Sequence, residues 1–230
     1  MKANGFLRSA AILLVVALTS SLAQAAPRVV PPHSNAYGMG YDDLARGWTE
    51  WVMSIPVPSN PLLDEDGSYA AIGQSGPVWY LAGTWGGEAT RTITVPNGKA
   101  LFFPVANYFW VNTPEFGDAP WSPEQEAYVR SVLAELVDTG QNLALEIDGR
   151  PVPNVYELLR VASTVGTCML PDDNLYGALP GMHECVADGF WALLPPMSTG
   201  MHTIHFHGEF GAAPGFFVDV TYHITVGPGR

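Results

Sequence analysis

The chain has 230 residues, 47% of them apolar and 14% charged, with 22 acidic side chains against ten basic ones. That length suits one domain with a sizeable core. The acidic excess, with no cluster of Lys and Arg, excludes nucleic acid as a partner.

At the amino terminus Lys2 and Arg8 precede an apolar run over residues 10–22 that ends in the small residues Ala23 and Ala25. The pattern predicts a signal peptide over residues 1–25. The run is shorter than the roughly 20 residues of a spanning helix, and no other segment qualifies, so no membrane span is expected once it is removed. Removal leaves eight basic against 22 acidic residues, a net charge of −14, with Lys99 as the one lysine. A secreted or periplasmic protein follows. Residues 26–37, with three prolines, read as a flexible arm, and residues 38–230 as one domain.

Two helices are expected. Over residues 41–53, Leu44, Trp48, Trp51 and Val52 recur at helical spacing and Pro56 follows as a stop. Over residues 123–138 the start is marked by Ser122 as N-cap, Pro123 at the first helical position and Gln125 at the capping-box position, with Gly140 beyond the end. Its stripe of Val129, Val132, Leu133, Leu136 and Val137 must pack on a sheet.

The remainder reads as strand and turn. Residues 78–82, 90–95 and 100–105 form three candidate strands, and residues 143–152 form a strand, an Asp-Gly turn and a second short strand. Further strands are expected at residues 160–164 and 190–194. The acidic cluster Asp64-Glu65-Asp66-Gly67 lacks the glutamate that an EF-hand needs at the twelfth loop position, and reads as a polar turn. Cys168 and Cys185 bracket a turn-rich segment without C-x-x-C spacing, and a disulfide between them is the expectation in an oxidising compartment.

Residues 193–226 form a hairpin with strict alternation. Ile204 and Phe206 point to one face while Thr203, His205 and His207 point to the other. On the return strand Val218, Val220, Tyr222, Ile224 and Val226 alternate with Asp219, Thr221, His223 and Thr225. His205 and His207 form an H-x-H pair that can reach one metal ion, and a third ligand is required. With the connection centred near Ala212, His205 faces Asp219 and His223 lies about four residues away, roughly 14 Å along the strand. The candidate metal ligands are therefore His205, His207 and Asp219, with Glu209 nearby, and the candidate cofactor is a divalent metal. The bland alternative is a solvated or helix-covered face.

The segments GPVWYLAGTWGG, VPNGKALFFPVAN, VADGFWALLPP, GMHTIHFHG and VDVTYHITV together resemble an uncharacterised family of secreted bacterial proteins. The resemblance covers most of residues 38–226 and implies no activity, substrate or cofactor. It further implies cysteines near residues 68–71 and 92–94 in relatives, where this chain has none, so that Cys168 and Cys185 stabilise the fold and perform no chemistry. The final hairpin is similar to the last two strands of an immunoglobulin-like sandwich. The fold class expected is mainly β, an antiparallel immunoglobulin-like β-sandwich with two helical insertions.

No G-x-S-x-G elbow, H-E-x-x-H helix or glycine-rich phosphate loop occurs, so no catalytic residue is assigned. A binding or structural protein is the economical reading. Tyr108, Trp110 and Trp121 are candidate ligand-binding rings for a glycan or protein partner. They belong to a ring-rich segment running from Asn107 through Phe109 to Trp121, and the competing role for Phe109 and Trp110 is to anchor a helical insertion onto the sheet, as Trp48, Trp51, Trp79 and Trp191 are expected to serve the core. The second reading is a metal-dependent activity at His205, His207 and Asp219.

Overall fold

A computed structural model describes residues 28–114, 120–211 and 215–228. The signal peptide expected over residues 1–25 lies outside them. In chain order the elements are α1 (Tyr41–Met53), β1 (Val78–Tyr80), β2 (Gly87–Pro96), β3 (Ala100–Val111), α2 (Pro123–Asp138), β4 (Gln141–Ile147), β5 (Arg150–Pro151), α3 (Val155–Leu159), β6 (Arg160–Ala162), β7 (Gly166–Leu170), β8 (Gly181–Leu194), β9 (Gly200–Phe210) and β10 (Phe216–Gly227).

The strands form two five-stranded sheets that pack face to face as a β-sandwich. Sheet A runs β1-β3-β8-β6, with β7 also paired to β8; sheet B runs β2-β10-β9-β4-β5. The sheets are mixed and not purely antiparallel as expected, because β1 pairs parallel with β3 and β2 pairs parallel with β10. Parallel neighbours need long crossovers. Here β2 reaches β10 only after the whole of sheet A and the rest of sheet B have been laid down.

Between the sheets lies a core of Phe103, Phe190 and Leu194 from sheet A against Ile204, Phe206, Phe210 and Tyr222 from sheet B. The other face of sheet A is also covered. There Leu44, Trp48 and Val52 of α1 pack on Phe102, Trp191 and Leu193, with Cys168, Leu170 and Cys185 completing the layer. Trp191 stacks on Phe102 at 5.5 Å between centroids and meets Trp48 edge-on at 5.4 Å. Burial on both faces explains why β3 and β8 read as continuous apolar runs, while β9 and β10, with one outward face, alternate. Pro104 within β3 coincides with a register shift that accommodates a residue unable to donate to a ladder.

Two strand glycines mark close approaches. A Cβ at Gly189 would stand 2.4 Å from the Asn107 Cβ, and one at Gly208 would stand 2.6 Å from the Ala106 Cβ of the facing sheet.

Both expected helices are present with the expected bounds. The capping box of α2 forms in both directions: Ser122 accepts from the Gln125 amide and Gln125 accepts from the Ser122 amide. Val129 and Leu133 of α2 pack against Val186, with Trp110 and Trp121 beside them, whereas Leu136 is exposed. The amino-terminal arm, expected to be flexible, is tied down at Val30, whose amide donates to the Leu193 carbonyl at 2.8 Å and whose carbonyl accepts from the Tyr41 hydroxyl. Cys168 and Cys185 form the expected disulfide, joining β7 to β8 across 17 residues. Asp64 caps its own turn by accepting from the amides of Asp66, Gly67 and Tyr69.

Candidate functional site

Two features of the surface combine residues able to do chemistry or recognition: the outer face of sheet B and an aromatic cleft beside β3.

On the outer face, β9 and β10 pair so that Asp219 stands opposite His207, Thr221 opposite His205 and His223 opposite Thr203. The connection is thus centred one residue later than Ala212, which moves every partner by two. His223, expected four residues from His205, is instead its diagonal neighbour, roughly 7 Å away. From β4, Glu146 pairs with His205.

The structure brings His205, His207 and Asp219 together. His205 Nε2 lies 3.0 Å from Asp219 Oδ1, His207 Nδ1 lies 3.0 Å from Asp219 Oδ2, and His207 Nε2 lies 3.1 Å from Glu209 Oε1. The hydrogen bond from His207, followed by one from the Asn142 side chain, holds the Glu209 carboxyl below its ordinary range. Each carboxylate oxygen of Asp219 faces a different ring, so the groups satisfy one another. Among the described residues no three His, Cys, Asp or Glu side chains are placed to hold one metal ion. The side chains are 22 to 40% exposed, and cross-strand pairs this wet contribute about 1 kcal/mol or less.

The cleft arises where β1 ends. That strand pairs only with Ala100, Leu101 and Phe102, so the rest of β3 continues as an edge of sheet A. Along this edge a cavity of about 300 Å³ is lined by Trp85 and Thr84 from the loop before β2, by Asn107, Tyr108 and Phe109 of β3, by Tyr176 of the disulfide loop and by Phe216. Trp85 meets Phe109 at 5.8 Å and Tyr176 edge-on at 6.0 Å. Tyr108 packs on Phe216 at 5.4 Å and on Phe210 at 4.9 Å. Trp85 remains 44% exposed. The Asn107 amide nitrogen is buried and has no hydrogen-bond partner, which is costly unless something accepts from it. Burial raises the Tyr108 and Tyr176 phenols above their ordinary values, so both rings are neutral in ordinary buffers.

Of the rings singled out from the sequence, Tyr108 lines this cleft. Trp110 lines an adjoining cavity of about 260 Å³ that shares Tyr108, Phe109 and Tyr176, and it also packs beside α2. Trp121 lines neither and sits with the α2 cluster. Trp85 and Tyr176 were missed. The only local signal was a Trp inside the glycine-rich turn GTWGG, where no strand face demands a large ring.

No family model, curated protein or solved structure matches the chain. Among the described residues no helix is long and apolar enough to cross a membrane.

Proposed function

We propose that this protein is a secreted or periplasmic binding protein that takes a neutral, ring-bearing ligand, a saccharide, in the cleft between Trp85, Tyr108, Phe109 and Tyr176. The observation that carries this reading is the convergence of five aromatic rings, Phe216 of β10 included, from four separate chain segments around one cavity, with Trp85 left accessible. Sugar rings present C–H faces to aromatic faces and hydroxyls to polar groups; Asn107 supplies an N–H without a partner. The negative charge of the chain favours an uncharged ligand over a polyanion. The amino-terminal leader pattern and the disulfide support the location, since disulfides persist in oxidising compartments.

Intrinsic tryptophan fluorescence, titrated with a panel of neutral oligosaccharides, tests this. Saturable quenching by at least one of them is expected, with Trp85→Ala weakening it at least about tenfold, or about 1.4 kcal/mol. Equal affinity in the variant, or quenching by none, ends the saccharide reading.

A further inference from the structure

The aromatic cleft and the adjoining cavity of about 260 Å³ meet at Tyr108, Phe109 and Tyr176. They differ in what lies beyond those shared rings. The cleft carries Thr84 and Asn107. The adjoining cavity has Trp110 and Val111 of β3 with Leu133 and Leu136 of α2.

The cleft can read hydroxyls. Its Asn107 amide nitrogen is buried and unpaired. The Thr84 hydroxyl donates to the Gly87 carbonyl at 3.1 Å, which leaves its oxygen lone pairs able to accept. The adjoining cavity offers hydrocarbon instead, and Leu136 is the informative residue there. Helix α2 keeps Val129, Leu133 and Val137 away from water, yet Leu136 is 39% exposed and forms part of this cavity's wall. An apolar body lying in the cavity covers surface that the fold alone leaves wet, and the gain grows with the area removed from water.

Among the described residues no charged side chain lines either cavity. A charged head would lose its hydration there with no counter-charge to replace it, which disfavours fatty acids and phospholipids as occupants. Each cavity alone lies at or below the lower end of the roughly 300–1,000 Å³ usual for a ligand site. Joined, they are the size of one.

We propose that the two cavities form one site for a neutral glycoside with a short hydrocarbon aglycone. The sugar ring lies against Trp85 with its hydroxyls toward Asn107 and Thr84, and the aglycone lies along Trp110, Leu133 and Leu136. This rests on the saccharide reading of the cleft and narrows it, because a free sugar fills only the polar half of the joined site.

Methyl and hexyl glycosides of one sugar share a head and differ in hydrocarbon, and hexyl tri(ethylene glycol) ether has the hydrocarbon without the sugar. Binding of these probes to the folded protein, below their micelle concentrations and with glucose, galactose, mannose and N-acetylglucosamine as heads, is followed by NMR of side-chain methyl and N–H groups. For at least one sugar the hexyl glycoside should bind at least about tenfold tighter than the methyl glycoside, or about 1.4 kcal/mol, a gain that burial of about two methylenes supplies. Both should shift the Asn107 side-chain amide, and only the hexyl probe the Val111, Leu133 and Leu136 methyls. Leu136→Gln, which changes an exposed position and keeps a good helix former, should shrink the hexyl-to-methyl ratio at least about threefold. The ratio on the unsubstituted protein stands without that variant. Equal affinity of methyl and hexyl glycosides, hexyl binding that leaves the Leu133 and Leu136 methyls unshifted, or an unchanged ratio in folded Leu136→Gln overturns the joined site and leaves the saccharide reading standing. Equal affinity of the hexyl ether and the hexyl glycosides overturns both, since the sugar is then not read. Binding of no glycoside overturns the joined site, and the saccharide reading with it when the oligosaccharide panel is also silent.

Discussion

Sheets A and B are built from strands of similar length, yet they face opposite demands. Sheet A is covered on both sides, by sheet B and by α1 with the disulfide layer, and the central residues of β3 and β8 are buried on each face. Sheet B is covered on one side only, and its outer face carries His205, His207, His223, Asp219 and Glu209 beside threonines. The hydrophobic term acts on both faces of one sheet and on a single face of the other. Stability should therefore concentrate in sheet A. The outer histidines, which stand out in the sequence, should matter little to the fold. The aromatic cleft lies where a covering element stops, at the β3 edge beyond β1.

The sharpest way to break this contrast is a pair of truncations. Trp191→Ala in sheet A removes a fully buried ring that contacts Phe102 and Trp48 and should cost about 3–5 kcal/mol. His207→Ala on the outer face of sheet B should cost less than about 1 kcal/mol despite losing two hydrogen bonds. Urea denaturation of both variants at neutral pH checks this, and equal costs would show that the outer network is a structural element in its own right.

A second test sits at the edge of sheet A, where Arg160 of β6 binds Asp188 of β8 in two-pronged fashion at 2.7 and 2.8 Å and reaches Asp138 at 2.8 Å. Asp188 is 6% exposed. Arg160→Ala leaves that carboxylate buried without a counter-ion and should cost about 3 kcal/mol. Arg160→Lys should recover only part, because an ammonium cannot reproduce the fork. Adding Asp188→Asn to Arg160→Ala should return stability relative to the single variant. A double variant no better than the single would place the cost in lost packing over Phe190.

What could be read from the sequence follows the same division. The β9–β10 hairpin was legible because one wet face imposes alternation, and α1 and α2 were legible because caps and stops are local chemistry. Only parts of β3 and β8 were legible, since burial on both faces erases the period that marks a strand, and β7 was hidden among the turn formers of the disulfide loop. The register of the hairpin was missed by two residues because it depends on how the chain turns after Phe210, which alternation does not encode. His205, His207 and Asp219 could be placed on one face all the same. The cleft was legible only in its β3 residues: Trp85 and Tyr176 come from segments far from β3 in sequence, and only the path of the chain past the end of β1 brings them together.

The smallest expected effect concerns His202 of β9. Its folded pKa is raised above the unfolded value near 6.5, with burial opposed and outweighed by bonds to Asp148 and Ser198. A group whose pKa rises on folding contributes stability while protonated in both states. The contribution of His202 is therefore fully present below about pH 6.5 and is lost as pH rises through the raised value. His202→Gln should be less stable than the unsubstituted protein at pH 5.5 and should approach it by pH 9, with the difference closing across that window in thermal or urea denaturation. The His223→Gln variant on the outer face is the matched control, since His223 is exposed. A gap that stays constant with pH, or one that widens as pH rises, would mean that the His202 ring is held by packing and not by its charge.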